Sequence, residues 1–370
     1  MSFAKAEARA WISGRSIDPL IIIQEIQETT MRYLIIGGAG FIGSNLAHRL
    51  ASLGEEVVAA DNLSRLGSES NLAWLRENHP AIQFQHCDIR YETDLLNLFK
   101  KFKSFDAVIH LASQVAVTTS VADPRTDFSI NALGTFNVLE TIRLSGTDPA
   151  FLFSSTNKVY GGMEHIRIAE RETRYEFADY PQGIDEACPL DFHSPYGCSK
   201  GCADQYVRDY SRIYGLRSVV FRQSAIYGHR QFGVEDQGWA AWFLIAAAKK
   251  KPIAIYGDGK QVRDILWVDD LVDAYLKAIE NIGVLKGEVF NIGGGPEKSL
   301  SIWREFGPLL IKELGYEPDI SFHDWRPGDQ KVCIMNIANA KEKLGWNPKV
   351  GVEEGVAKLA RWVLDHLEIL

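Results

Sequence analysis

The segment from Tyr33 to Leu53 constrains this 370-residue chain more than any other. Tyr33 to Ile36 is a short apolar run that enters Gly37-Gly38-Ala39-Gly40-Phe41-Ile42-Gly43, and the helical pattern of Ser44 to Leu53 follows at once. Strand, glycine turn and helix in that order predict a dinucleotide-binding unit. Glycine permits a tight turn and close backbone approach, and the helix N-terminus faces a pyrophosphate with its unpaired N–H groups. The spacing is GxxGxxG, where ordinary dehydrogenases carry GxGxxG. A second strand, Val57 to Ala60, ends in Asp61, about twenty residues beyond the glycines and placed for an acid on the adenosine ribose hydroxyls. Asn62 follows with no adjacent arginine, so a 2′-phosphate would be repelled and NAD is favoured over NADP.

The unit continues as an alternation. Ile82 to Cys87 reads as a strand, Leu95 to Phe99 lies in an acidic-apolar helix, Ala107 to Leu111 is a strand, and a helix runs from about Asp127 to Leu144. The strand Phe151 to Ser154, a helix through Tyr196 to about Tyr214 and the strand Ser218 to Arg222 complete it. This rhythm predicts right-handed βαβ crossovers and an α/β fold, a doubly wound parallel sheet with its ligand at the carboxyl ends of the strands. Irregular stretches follow at Gly161 to Pro195, Tyr227 to Gly238, Ile253 to Asp264 and Gly293 to about Asp329, and connections this long inside a compact fold are usually functional. They predict a smaller, discontinuous C-terminal lobe for substrate, made of 226–263 plus 293–370, over a Rossmann-type domain made of 31–225 plus 264–292. Residues 1–30 read as an extension of unknown structure; Leu20-Ile21-Ile22-Ile23 is too short for a signal or membrane segment.

Tyr196 and Lys200 stand four apart in SPYGCSKGCADQY, a spacing that puts both on one face of a helix. The ammonium there favours the phenolate and draws the tyrosine's pKa toward neutrality, which makes it a base for an alcohol proton. A net charge of −8 without a run of five basic residues excludes a nucleic-acid surface, so an anionic substrate has to be met by local arginines. Five cysteines in no metal or redox spacing fit a reduced cytoplasm, and no metal ligand set is legible.

Beyond these patterns, the chain from Met31 onward resembles the extended short-chain dehydrogenase/reductase superfamily, and within it the nucleotide-sugar epimerases and dehydratases. The resemblance rests on GGAGFIG, the Asp61 and Asp88 strand ends, HLASQ at 110 to 114, NALGTFNVLE at 131 to 140, SSTNKVYG at 154 to 161, YGCSK at 196 to 200, VRDILWVDD at 262 to 270, NIGGG at 291 to 295 and RPGD at 326 to 329. It implies an NAD site built from Gly37, Gly40, Phe41, Ile42, Gly43, Asp61, Asn62, Asp88, Ile89, Leu111, Ala112, Gln114, Asn131, Ser154, Tyr196, Lys200 and Gln223. Asp88 would accept from the adenine amino group with the Ile89 amide beside it, Asn131 would cap a helix and steady the site, and Lys200 would bind the nicotinamide ribose. Thr156 takes the place of the hydroxyl that holds the reacting oxygen; Thr156, Tyr196 and Lys200 are then the catalytic set. Arg263 and Arg326 match positions that hold a nucleotide diphosphate, with Asp329 near the ribose; the planar guanidinium suits that anion. Tyr256 is placed to stack on the base, and Gln237, Gly238 and Trp239 to open a helix toward the diphosphate. The implied assembly is a homodimer or homotetramer paired through the helices of Asn131 and Tyr196.

Residues 156 to 158 divide the possible reactions. Nucleotide-sugar 4,6-dehydratases carry Thr-Asp-Glu there, whereas this chain has Thr156-Asn157-Lys158, which cannot supply that acid/base pair; Asn157 and Lys158 are instead expected to touch the sugar. In RQSAIYG, Ala225 stands where 4-epimerases use an asparagine. STNKVYG, RQSAIYG and HRQFGVEDQGW at 229 to 239 together look like the CDP-paratose (CDP-tyvelose) 2-epimerases, which implies inversion at C2 of a nucleotide-linked hexose through a 2-keto intermediate, with NAD regenerated at each turnover. The pattern departs at Met163 and the insert Glu164 to Gln182, a charged and aromatic loop expected to reshape the sugar pocket. The alternatives are another nucleotide-sugar epimerase, acting at C4 or on a different base, and a catalytically silent NAD-binding regulator.

Overall fold

The computed structural model describes residues 30–326 and 329–370, so the expected N-terminal extension lies, but for its last residue, outside the described residues. Seven strands, β1 (Arg32–Ile36), β2 (Glu56–Asp61), β3 (Gln83–His86), β4 (Ala107–His110), β5 (Ala150–Thr156), β6 (Ser218–Gln223) and β7 (Glu288–Ile292), form one sheet in the order β7-β6-β5-β4-β1-β2-β3. Every neighbouring pair is parallel. The continuous apolar runs explain this arrangement. Leu34, Ile35 and Ile36 of β1 and Val108 and Ile109 of β4 have no more than 1% of their surface exposed, as strands covered by helices on both faces must. Strand order reverses between β1 and β4, and the crevice at that switch is where a doubly wound sheet takes its ligand.

Four helices place the site: α1 (Phe41–Ser52), α2 (Gly134–Ser145), α3 (Ser194–Tyr214) and α4 (Trp239–Ala248). The single helix expected from Asp127 to Leu144 is instead a short helix, Pro124–Phe128, a π-helical turn, Ser129–Leu133, and then α2. Asn131 therefore sits inside a wide turn and caps nothing; the extra residue swings its amide toward the loop after β4, a use of π-turns common at functional sites.

The later part of the chain is more regular than its composition suggests. Ala225–Tyr227, Val262–Trp267, Ser299–Ser301 and Val332–Cys333 form a second sheet, and Ile253–Tyr256 pairs with Ile320–His323. The stretches Ile253 to Asp264 and Gly293 to Asp329 thus contain strands, hidden in sequence because they are short and interrupted by glycine and charge. Helix α4, WAAWFLIAAA, is apolar all round, and such a helix must be enclosed. Ala241, Leu244, Ala246, Ile253, Ile255, Phe306 and Val356 are wholly buried together there, and full burial of Leu244 alone contributes roughly 1.5–3 kcal/mol. The insert after Met163 forms a hairpin of Ile168–Glu170 and Tyr175–Phe177, tied outward by Arg174–Glu305 (2.6 Å) and Lys260–Glu170 (2.7 Å). Among the described residues no helix is long and apolar enough to cross a membrane.

Candidate active site

The glycine turn is built as a cradle. Gly37 has φ +89°, and a Cβ there would stand 2.6 Å from the amide nitrogen of Ala112; at Gly43 a Cβ would lie 2.0 Å from the Gly37 carbonyl oxygen. Gly37 and Gly38 both donate to the Ala60 carbonyl, at 2.8 and 3.1 Å, so the turn is clipped to β2. Gly40 caps α1 without a side-chain acceptor, leaving the first amides of that helix open to an anion. Asp61 accepts from the amides of Ala39 (3.1 Å) and Leu63 (2.8 Å); burial raises its pKa against those bonds. A dinucleotide pyrophosphate fits a turn that leaves no room for side chains at Gly37 and Gly43 and ends on an uncapped helix.

Asp88 and Asn62 meet at the end of β3, where Asn62 Nδ2 donates to Asp88 at 3.1 Å. Burial opposes ionisation of Asp88, but hydrogen bonds from Arg90, at 2.6 Å, and from Asn62 draw its pKa down to about 2. Ile89 packs beneath Gly134 at the start of α2. Leu111 and Ala112 donate their amides to Ile36, and Gln114 bends its side chain onto Ala116. The Asn131 amide accepts from the Gln114 N–H (2.9 Å) and the Ser113 hydroxyl (2.9 Å), and donates to Ser199 on α3 (3.2 Å). From the π-turn it thus ties the loop after β4 to α3.

Two cavities adjoin at Thr156, Tyr196 and Trp239. One, of ≈ 220 Å³, runs past Phe41, Ile42, Leu111, Ser154, Lys200 and Gln223, whose side chain donates to the Tyr275 hydroxyl at 2.6 Å. The other, of ≈ 310 Å³, is lined by every residue assigned to the nucleotide sugar: Thr156, Asn157, Lys158, Gln237, Gly238, Trp239, Tyr256, Arg263, Arg326 and Asp329. Trp239 lines both cavities, and its ring also packs edge-on against Phe306 with centroids 5.0 Å apart. No residue of the insert 164–182 lines either cavity, so the expected reshaping of the pocket by that loop is not seen.

Helix α3 brings Tyr196 and Lys200 to the smaller cavity, but not into the relation expected. Lys200 Nζ donates to the Ser154 carbonyl at 2.6 Å and lies 4.4 Å over the Phe153 ring, and burial pulls its pKa down to about 7. The phenol of Tyr196 is pushed up to about 12 by burial, against the pull of a hydrogen bond with Thr156 and the charge of Arg65. Desolvation outweighs the charge effect that the i, i+4 spacing suggests, because the lysine is turned toward β5. Lys158, beside Thr156, makes no side-chain hydrogen bond among the described residues; burial and the nearby Arg263 both lower its pKa.

The arginines carry counter-charges. Arg263 pairs with Asp329 at 2.7 Å, and Arg326 lies 3.3 Å from Glu235 and 3.2 Å from Asp236 with its guanidinium 3.8 Å over the Tyr256 ring. Sequence reasoning passed over Glu235 and Asp236, although they stand in the quoted run HRQFGVEDQGW, and over Arg65, which crosses the cleft to Gln237 at 2.8 Å. Contacts between residues so far apart in the chain leave no local signal.

Comparison with known proteins agrees with this geometry. Residues 33–293 match the NAD dependent epimerase/dehydratase family. The chain is 45% identical to CDP-paratose 2-epimerase of Salmonella typhi, over 90% of this chain and 99% of that one, and 33% identical to dTDP-glucose 4,6-dehydratase of Neisseria gonorrhoeae, over 90% and 95%. Its fold matches the crystal structure of UDP-glucose 4-epimerase with UDP-glucose from Thermotoga maritima with a TM-score of 0.77 and 32% identity, covering 91% of this chain and 100% of that one. With a glycine cradle, an acid at the end of β2 and a Tyr-Lys helix facing one cleft, this chain belongs to the NAD dependent epimerase/dehydratase family, a Rossmann-type extended short-chain dehydrogenase/reductase with NAD as its cofactor.

Proposed function

We propose that this chain inverts C2 of a cytidine diphosphate-linked hexose, CDP-paratose or a relative of it, through a transient 2-keto sugar and with no net redox change. One observation supports this most: where the two cavities meet, Thr156 and Tyr196 supply a proton-transfer pair, while Asn157 and Lys158 offer no acid/base pair for loss of water. The similarity to CDP-paratose 2-epimerase supports the choice of carbon and base.

The C2 proton of a sugar has no neighbouring carbonyl to stabilise a carbanion, so the carbon has to be oxidised before it can invert. NAD, when bound, supplies the acceptor for that hydride and returns it. Tyr196 Oη, as the phenolate, takes the hydroxyl proton while the hydride leaves and, now a phenol, gives it back on return. Thr156 orients the reacting oxygen. Lys200 is anchored on the Ser154 carbonyl beside the reaction centre, where its protonated form favours the phenolate. Arg263 and Arg326 hold the diphosphate while the sugar turns, and Asn157 and Lys158 meet its hydroxyls. In this reading 31–225 plus 264–292 serve the cofactor, and 226–263 plus 293–370 the nucleotide sugar.

The test is incubation of the purified protein with CDP-, UDP- and GDP-hexoses in deuterium oxide, read by NMR. Inversion at C2 of the CDP sugar without deuterium at that carbon is the expected result. Inversion at C4, or solvent label at C2, would contradict the reading.

The functional assembly is proposed to be a dimer or a pair of dimers. Val121, Phe128, Leu133 and Phe136 before and along α2, and Tyr206, Ile213 and Tyr214 on α3, are exposed by 37–66%, more apolar surface on two neighbouring helices than a monomer usually leaves to water. Sedimentation is expected to give two or four times the 41.4 kDa chain; a monomer at micromolar concentration would refute it.

A further inference from the structure

We propose that Glu235 reads the amino edge of a cytosine, and that this carboxylate is what separates cytidine from uridine and thymidine nucleotides in this chain; the proposal rests on the larger cavity being the nucleotide-sugar site. Relatives on this one fold are named for CDP, dTDP and UDP sugars, so the fold itself does not choose the base. Ribose and diphosphate are common donors and acceptors in all three. Discrimination has to come at the edge where the bases differ. Cytosine presents an N4 amino donor there, whereas uracil and thymine present the O4 acceptor, and a carboxylate accepts from the first and repels the second.

Three carboxylates line the cavity, and each has one oxygen paired with an arginine of the same cavity. Asp329 accepts from Arg263 at 2.7 Å and from the Gln330 amide at 3.0 Å. Asp236 has its Oδ1 3.2 Å from Arg326. Glu235 is the one held by an aromatic hydroxyl: its Oε1 accepts from the Tyr256 hydroxyl at 2.8 Å and from Arg326 at 3.3 Å, and its Oε2 has no hydrogen-bond partner among the described residues. The tyrosine hydroxyl fixes the carboxylate on the rim. The stacked Tyr256 ring and Arg326 guanidinium beside it form a flat platform suited to the face of a base. An acid in a cavity lined by Lys158, Arg263 and Arg326 weakens the hold on a diphosphate by repulsion, a cost that is offset if the same carboxylate receives a hydrogen bond from another part of the ligand.

The experiment is calorimetric titration of the full chain, wild type and variants, with CDP, UDP and dTDP. Wild type is expected to bind CDP about 10- to 100-fold more tightly than UDP or dTDP, the range of one well-placed base contact. Glu235→Gln is expected to bring the CDP/UDP ratio below about threefold, partly by gaining UDP affinity, because an amide N–H can meet O4. Glu235→Ala should collapse the ratio without that gain, and Asp236→Asn should keep it. Equal binding of CDP and UDP by wild type, or a ratio that survives in both Glu235 variants, overturns the base readout and leaves the nucleotide-sugar reading standing. Binding of no nucleotide at all overturns both.

Discussion

Tyr196→Phe is expected to lower kcat by about 10²- to 10⁴-fold, the contribution of a positioned acid/base, while nucleotide affinity stays within about threefold of wild type. The substitution is clean because of where the residue sits. Its backbone N–H donates to the Ser120 hydroxyl at 3.1 Å and its ring is 7% exposed, and neither feature depends on the phenolic oxygen. What is lost is one oxygen at the junction of the two cavities, beside Thr156. Steady-state rates with a CDP-hexose and calorimetry with CDP separate the two quantities, and a fall in kcat without a matching change in binding marks an interaction made in the transition state. Full activity in the Phe variant would remove Tyr196 from the mechanism. Loss of binding and rate together would make it a packing residue.

The parts of this site that sequence reading reached are those set by local pattern. A strand running into glycines needs no distant partner to be recognised, and the buried strands β1, β4, β5 and β6 follow from unbroken apolar runs. Tyr196 and Lys200 share a helix face by arithmetic alone. What the lysine does on that face is not local: Ser154, its acceptor, is 46 residues away on strand β5, and the balance between burial and charge at Tyr196 depends on everything packed around it. Asn131 shows the same limit. Its residue type suggested a cap, but a π-turn has no sequence signature of its own, and the contacts that occupy the amide come from residues 113, 114 and 199 as well as from Asp127 one turn before it. The Glu235, Tyr256 and Arg326 group joins segments 21 and 91 residues apart, so an acidic pair that sequence offers as an ordinary loop becomes the rim of a pocket.

Arg222→Met is expected to cost about 3–5 kcal/mol of stability, the usual penalty for stranding one charge of a buried pair. Arg222 on β6 and Asp204 on α3 have side chains only 3% and 0% exposed, and the guanidinium donates to both carboxylate oxygens at 3.0 Å. The carboxylate also accepts from the Ser155 hydroxyl on β5 at 2.8 Å, and Arg222 reaches the Tyr160 hydroxyl at 3.1 Å, which in turn donates to Asn291 on β7 at 2.7 Å. One polar network therefore ties α3 to three neighbouring strands from inside. Its bearing on chemistry is geometric: Asp204 lies four residues beyond Lys200 and eight beyond Tyr196, on the same face of the helix. Removing the arginine leaves Asp204 without its counter-charge, and the helix can restore solvation only by moving off the sheet, which displaces the two residues that adjoin Thr156. Urea unfolding should register the stability loss, and kcat for the CDP-hexose should fall with little change in CDP affinity, since the diphosphate arginines lie on other elements. The double variant Arg222→Met with Asp204→Leu should recover most of the stability, because an apolar pair of similar volume replaces a buried ion pair at little cost. A single Met variant as stable as wild type would show that the ion pair does not hold α3 in place.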